Sequence, residues 1–394
     1  MKRVLSLATL YPNAHVPRFG TFVARQMEAL AARGDWDVTV INPIGVPPVP
    51  MGRYRALAQA AKSGNEVGVM VFRPRFTLIP SVGGPFNPAM IVRAALPLAR
   101  RLHAEAPFDL VDAQFFYPDG PAAARIAEDL GLPLSIKARG ADISHWGMKA
   151  YANRKMRTAA EQATGLLAVC EALADDMAEI GLPRDKITVH YTGLDRSLFR
   201  PLDRTESRAF LSSHFGITLA QDARLIASIG ALIPRKGQHF VVSALAQLPN
   251  THLALVGAGP DRAALAELAK ELGLEDRVHF LGSIGHGNLP RVLSAADASA
   301  LPSESEGLAN AWVESLACGT PLVITDVGGA REILTDDVTP AGRIVARNAD
   351  AIAAALQSLF AEATPPEVVC QSAARFSWEA NAAALAAYYE QLIA

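Results

Sequence analysis

Cysteine is scarce in this chain. Cys170, Cys318 and Cys370 lie far apart and form no Cys-x-x-Cys pair. That excludes a disulfide framework and a thiolate metal cluster, and reads as reduced thiols in a cytoplasmic protein. Charge is scarce too, at 19% against 50% hydrophobic residues, which excludes a disordered chain. Neither sign dominates: 37 Lys and Arg face 39 Asp and Glu, for a formal charge of -2. A dedicated nucleic-acid binder would need a basic surplus, so none is expected. No apolar run reaches about 18 residues, so no membrane-spanning helix is expected. The first residues, Met1 to Ala8, begin like a secretory signal, but Tyr11-Pro12-Asn13 stops the apolar stretch too soon. The nine histidines are scattered, with none paired four apart, so no metal site is expected. These absences leave a cytoplasmic protein, with the inner membrane face as a peripheral alternative.

What is present is a rhythm. At 394 residues the chain is too long for one comfortable core, since single cores stop growing near roughly 250–300 residues. Short apolar runs at 4–7, 38–41, 67–72, 110–113, 134–137, 166–169 and 187–191 alternate with Ala-rich amphipathic stretches at 22–32, 90–106, 122–130 and 152–163. Strand, helix, strand in this order predicts βαβ units and a parallel sheet. The pattern breaks near Phe199-Arg200-Pro201 and then restarts. Further runs at 225–229, 253–256, 278–281, 298–301, 322–325 and 344–345 alternate with helical stretches at 238–248, 262–272, 310–317 and 349–360. Two doubly wound α/β domains are expected, 1–197 and 198–375. A terminal helix, 376–394, is expected to pack back on the first domain, with the second as an alternative. Two such domains facing each other would form a cleft at the carboxyl ends of their strands, where open α/β sheets bind ligands.

The most informative stretch runs from Leu301-Pro302 through Glu306-Gly307-Leu308-Ala309-Asn310 to Glu314 and Cys318-Gly319-Thr320-Pro321. A strand ends, a short loop follows, and a helix from about Leu308 is stopped by Gly319 and Pro321. Its N-terminus offers free N–H groups and a positive dipole end to a phosphate. Glu306 can accept bonds from sugar hydroxyls, and Glu314 can reach a polyol such as a ribose. Two solvated glutamates at this spacing are common, so the pair alone says little. Ala227-Ser228-Ile229-Gly230-Ala231-Leu232-Ile233-Pro234-Arg235-Lys236-Gly237 adds two adjacent cations at a strand end, able to neutralise a diphosphate.

These residues, with Leu253-Ala254-Leu255-Val256-Gly257-Ala258-Gly259-Pro260, Val278-His279-Phe280-Leu281-Gly282, the Glu306-x(7)-Glu314 pair and Asp326-Val327-Gly328-Gly329, make a series. It resembles the retaining GT-B glycosyltransferases of the large glycogen-synthase-like group (glycosyl transferases group 1, family 4). Tyr11-Pro12-Asn13 and Gly20-Thr21-Phe22-Val23 are similar to that group's first loop. The resemblance implies a GT-B fold of two Rossmann-like domains. It implies transfer of a sugar from a nucleoside-diphosphate-sugar donor to a saccharide or lipid-linked acceptor, as in cell-envelope or exopolysaccharide synthesis. No cofactor and no metal are implied, and peripheral membrane contact is compatible with it. By position, Arg235 and Lys236 would hold the diphosphate, Glu306 the sugar hydroxyls and Glu314 the ribose. Leu281 and Ser283 would lie beside the base. Gly307, Leu308, Ala309 and Asn310 would cap sugar and phosphate. Gly20 would let backbone approach a substrate. In that group the acceptor is thought to attack from the face the donor phosphate leaves, so no protein nucleophile is named.

One departure stands out. Where many relatives carry His-Gly-x-Asp, this chain has Arg139-Gly140-Ala141-Asp142. Arg139 cannot act as a base at neutral pH but can hold a hydroxyl or a charged group. Asp142 is a candidate catalytic residue, and His145 is either a substitute for the missing histidine or a plain loop residue. Two other signals are discounted. Gly257-Ala258-Gly259 lacks the third glycine of a dinucleotide fingerprint, because Arg262 occupies it. Asp35-Trp36-Asp37 spells a metal-binding Asp-x-Asp but is expected in a turn at the amino end of the sheet. The helix over 90–105 carries Arg93, Arg100, Arg101 and His103 beside Ile91, Val92, Leu96 and Leu98. It is read as a solvated surface helix, with an anionic membrane as the alternative. The competing functions are a nucleotide-sugar epimerase of the same architecture and a non-catalytic sugar-binding protein.

Overall fold

Strands of three to six residues that are apolar on both faces need cover on both faces, which a parallel sheet flanked by helices provides. A computed structural model of the chain, describing residues 1–17, 19–80 and 82–394, shows two such sheets in two units. The first unit comprises Met1–Gly193 together with Trp378–Ala394, and the second Leu194–Ser377.

The first sheet has eight strands, in the order Ile187–Val189, Gly165–Ala168, Leu134–Lys137, Leu110–Ala113, Lys2–Leu7, Trp36–Ile41, Val69–Phe72 and Gly64–Glu66. All pair in parallel except the last, which is antiparallel to its neighbour. The apolar run 67–72 is therefore not one strand. Val67 (φ 48°) and Gly68 (φ 82°) turn the chain through left-handed backbone, and a hairpin results. A separate two-stranded parallel sheet, Ile44–Val46 with Arg75–Thr77, had no signal in the apolar pattern. The helix Trp378–Ile393 lies against the first sheet. Its Leu385, Ala386, Tyr388 and Tyr389 share a core with Val4, Val23, Met27, Leu30 and Trp36. The Trp36 and Tyr389 rings meet edge to face at 5.4 Å. Gly165 and Gly193 leave room for this helix, because a Cβ on either would lie 2.3 Å from Tyr388 Oη or 2.1 Å from the Trp378 ring. Each large side chain buried there is worth roughly 1.5–3 kcal/mol, which fixes the helix on this sheet.

One expectation needs correction here. Trp36 and Asp37 sit in the strand Trp36–Ile41, not in a turn, because Trp36 is a core residue. Asp37 pairs with Arg3 at 2.7 Å and Asp35 with Arg33 at 2.7 Å, so both carboxylates have protein partners. On the helix Asn87–Glu105, Ile91, Ala95 and Ala99 face the core, and Arg100 pairs with Asp129. Val92, Leu96 and Leu98 are partly exposed, as on a surface helix. Among the described residues, no helix is long and apolar enough to cross a membrane.

The second sheet has seven strands, in the order Val278–Gly282, Thr251–Val256, Arg224–Ile229, Ala298–Leu301, Leu322–Ile324, Gly342–Ile344 and Val338–Thr339, the last antiparallel. Its core joins Ile226, Leu253, Leu255, Ala298 and Val323 to Val241, Leu245, Leu356 and Leu359 of the covering helices. Gly257 and Gly259 have a packing role. A Cβ on them would lie 1.9 Å from Gly230 O and 2.1 Å from Leu232 O, so they seat the loop that follows Arg224–Ile229.

Candidate active site

In the second sheet the chain order reverses between Arg224–Ile229 and Ala298–Leu301. The loops leaving these two neighbouring strands meet at their carboxyl ends, beside the crevice in which open α/β sheets bind ligands at such a switch point. Those loops carry Arg235, Lys236 and Glu306.

The first loop makes a single helical turn, Pro234–Lys236, and ends at Gly237 in left-handed backbone (φ 71°). A side chain there would strike Pro302 O at 2.3 Å, so the two loops lie directly against each other. The Glu304 N–H donates to Arg235 O at 2.8 Å. Arg347 staples the pair from outside, donating to Pro302 O and Pro234 O, both at 2.9 Å, and to Arg235 O at 3.2 Å. From below, Thr325 Oγ1 donates to Ser303 O, and the Gly329 N–H to Gly307 O at 2.8 Å. The Asp326-Val327-Gly328-Gly329 stretch is thus the floor under the second loop.

On this frame Glu306 is the hub. Lys236 Nζ bonds its Oε1, and the Ser303 hydroxyl donates to the same oxygen at 2.6 Å. Arg235 Nη1 lies 3.7 Å from Oε2 and donates to Ser305 O. Glu306 and Lys236 side chains are 9% and 14% exposed, whereas Arg235 is 43% exposed. Two cations therefore share one carboxylate, and one positive charge is left over beside the crevice. Glu314 sits one turn into the helix Asn310–Ala317, 11% exposed, and accepts from His286 Nε2 at 3.1 Å. His286 is 62% exposed and meets the Phe199 ring edge-on at 4.9 Å. The helix begins at Asn310, two residues later than expected, because Leu308 and Ala309 are buried in extended loop backbone. Leu281 is half-buried at the end of the edge strand, and Ser283 is exposed just beyond it.

The first sheet reverses its order between Lys2–Leu7 and Leu110–Ala113. Gln114 follows the second of these strands, and Arg139 follows Leu134–Lys137. Arg139 donates from Nε to Gln114 O (3.2 Å) and from Nη2 to Gln26 Oε1 (3.3 Å) and Gln114 Oε1, with its guanidinium 5.1 Å over the Phe22 ring. Asp142 is fully buried, and its carboxylate accepts the N–H groups of Phe116 (2.8 Å), Arg139 (2.9 Å) and Gly140 (2.8 Å). Burial raises its pKa. Asp142 therefore clasps two loops, which corrects the expectation of a presented catalytic carboxylate. His145 is exposed and pairs with Lys149 at 2.9 Å. Gly20 is required by its left-handed backbone (φ 73°) and by Leu10, whose carbonyl carbon a Cβ would meet at 2.5 Å. That contact accounts for the glycine without any ligand.

Sequence reasoning missed the residues behind Arg139. Lys137 is fully buried and reaches Gln26 Oε1 (3.1 Å), His190 O (3.1 Å) and His190 Nδ1. His190 Nε2 in turn donates to Asn381 O on the terminal helix at 2.9 Å. Burial pushes both Lys137 and His190 well below their usual pKa values. Gln114 donates to Asp112, which also accepts from Ser6 Oγ at 3.1 Å. The available signal was a polar residue inside an apolar run: Asp112 in Leu-Val-Asp-Ala and Lys137 in Leu-Ser-Ile-Lys. Among the described residues no three of His, Cys, Asp and Glu converge as metal ligands would.

Comparison with known proteins gives this geometry a family. Residues 212–383 match the model of glycosyl transferases group 1, and residues 19–193 that of the glycosyl transferase 4-like domain. The D-inositol 3-phosphate glycosyltransferase of Mycobacterium marinum is 35% identical over 222 residues, and that of Mycobacterium tuberculosis strain F11 is 37% identical over 221. Each match takes in 53% of this chain but only 46% and 44% of those relatives. In fold, the chain is similar to sucrose-phosphate synthase from Thermosynechococcus elongatus, with a TM-score of 0.79 at 22% identity, covering 100% of this chain and 99% of that one. It is also similar to Anabaena HepE, solved with UDP-glucose, with a TM-score of 0.72 at 20% identity, covering 99% and 100%. With a family match on each of its two Rossmann-like units and a GT-B architecture throughout, the chain belongs to the group 1 glycosyltransferases.

Proposed function

We propose that the protein is a retaining, metal-independent transferase that moves a sugar from a nucleoside diphosphate to a saccharide or lipid-linked saccharide acceptor of the cell envelope or an exopolysaccharide. The observation that carries this reading is the sharing of Glu306 between Arg235 and Lys236 at the reversal point of the second sheet. As the bond from the sugar's anomeric carbon to the diphosphate breaks, negative charge collects on the leaving oxygen. Fixed cations beside it stabilise that charge without reorganising, which is where a protein contributes most. Arg235 and Lys236 fill this role and make a divalent metal unnecessary. A diphosphate drawing Lys236 toward itself frees Glu306 Oε1 for sugar hydroxyls, with Ser303 still fixing the carboxylate. Glu314 holds the ribose, Leu281 and Ser283 flank the base, and the backbone of Gly307, Leu308, Ala309 and Asn310 caps the sugar phosphate. The acceptor oxygen then bonds the anomeric carbon on the face just vacated, and its proton passes to the departing phosphate. The enzyme works in the cytoplasm, on soluble acceptors or at the inner membrane face.

The test is a binding and slow-hydrolysis screen with a panel of nucleotide sugars, in the presence of a chelator. Glu306→Gln should leave nucleoside diphosphate affinity nearly intact and lower turnover by about 10²–10³. Lys236→Ala should weaken diphosphate binding itself. Equal loss of binding and turnover in Glu306→Gln would contradict the role given to Glu306. Interconversion of the sugars would point to an epimerase, and activity lost to the chelator would end the metal-independent reading.

A further inference from the structure

We propose that the Arg139 guanidinium binds an anionic group, a carboxylate or a phosphate, carried by one of the sugar substrates. This rests on the transferase reading but is tested apart from it. What holds the guanidinium is neutral. All of its hydrogen-bond partners are neutral oxygens: the Gln114 carbonyl and the side-chain amides of Gln114 and Gln26. The two nearby carboxylates bond other groups, and Oδ1 of Asp112 bonds none among the described residues. Asp142 is committed to three backbone N–H groups, and Asp112 to Ser6 and Gln114. Among the described residues nothing accepts from Nη1.

A guanidinium held by amides is oriented without being neutralised, whereas one held by a carboxylate has much of its charge cancelled. Lys137 stands behind it, donating to the same Gln26 oxygen, and adds positive potential beside Asp112, a carboxylate that bonds neither cation. Burial pushes Arg139 down to about 10, and although Asp112 and Asp142 act against that shift, neither bonds the guanidinium, which is left short of a direct anionic partner. An arriving carboxylate or phosphate would relieve that shortage, and the planar fork suits either group. Phe22 covers one face of the guanidinium. The Asp142 carboxylate, three residues away, bonds the Arg139 backbone N–H and not its guanidinium.

The experiment is titration calorimetry on the full chain with two probe pairs, glucose against glucose 6-phosphate and UDP-glucose against UDP-glucuronic acid, with UDP as reference. The charged member of one pair should bind about tenfold or more tightly than its neutral counterpart. Preference in the first pair assigns the anion to the acceptor, and in the second to the donor. Arg139→Gln should abolish the preference while leaving UDP affinity near that of the unmodified protein. Arg139→Lys should keep part of it. Equal affinities within both pairs, or a preference that survives Arg139→Gln, would overturn the proposal. Failure of UDP to bind at all would sink the transferase reading, while the glucose pair would still decide the fate of the anion site.

Discussion

The two units solve the same architectural problem and differ in how they keep cations at the carboxyl edge of a sheet. In the second unit Arg235 and Lys236 lean on a carboxylate at the rim, with Arg235 nearly half exposed. In the first, Lys137 and Arg139 are held by amides, a carbonyl and an imidazole, with Lys137 wholly inside. A cation paired with a carboxylate at a wet edge can exchange that partner for a ligand at small cost. A cation inside a neutral network cannot leave, because each acceptor it abandons stays buried and unpaired. The second unit is thus built to change partners and the first to hold position.

The largest expected effect breaks this contrast most directly. Lys137→Met keeps the bulk but removes three donors, leaving His190 O and His190 Nδ1 without them. The loss should be about 3 kcal/mol, read as a lowered midpoint in thermal or urea unfolding. Lys236→Met should cost about 1 kcal/mol, because Glu306 keeps Ser303 and Arg235. Equal losses in the two variants would show that both cations are equally structural, and the comparison would fail.

This difference also explains what could be read from the sequence. Strand and helix spacing showed both sheets, because alternation of apolar runs and amphipathic stretches is a local property. The second-unit site was legible for the same reason: Pro234-Arg235-Lys236-Gly237 and the loop-to-helix stretch from Glu306 to Glu314 are each contiguous in sequence and punctuated by glycine or proline. The first-unit network was not legible, because it is assembled across the chain. Gln26 and Lys137 are 111 residues apart, and His190 and Asn381 are 191 apart. No local pattern shows that a buried lysine will find an amide on another element. Val67 shows the opposite limit: its apolar, β-branched neighbours suggest continuous strand, and only the glycine after it marks the turn. Arg139 was legible as a departure from the family pattern, but its neutral surroundings were not.

A second, smaller effect sharpens the comparison through pH. Asp119 is fully buried at the start of the helix Asp119–Leu130 and accepts the Thr9 N–H (2.8 Å) and the Thr9 hydroxyl (2.7 Å). Burial, with Asp142 nearby, raises its pKa from 3.8 to about 7. A carboxyl that titrates higher folded than unfolded binds its proton more tightly in the folded state. Its stabilising contribution is complete below about pH 4 and is lost as pH rises through about 7. The first unit should therefore lose on the order of 5 °C in unfolding midpoint between pH 5 and pH 8. Asp119→Asn should flatten that slope. An unchanged slope in the variant would move the titration to another group.

The smallest expected effect belongs to His286, and it asks whether the second-unit site is as exchangeable as its geometry suggests. Its Nε2 donates to Glu314 Oε1, and the ring is 62% exposed against 11% for the carboxylate, so water can take the place of the imidazole and little stability is at stake. Exposed pairs of this kind contribute roughly 0–1 kcal/mol, and His286→Ala should leave the unfolding midpoint almost unmoved. Glu314 has a second oxygen with no such partner, so a ribose can bond the carboxylate whether or not the imidazole is there. Nucleotide affinity should then change by less than about threefold in His286→Ala and fall by about tenfold or more in Glu314→Ala. A tenfold loss from the histidine variant, measured by the same UDP titration, would mean that the imidazole holds the nucleotide and Glu314 merely positions it. The rim would then contain a fixed element of the kind so far seen only in the first unit.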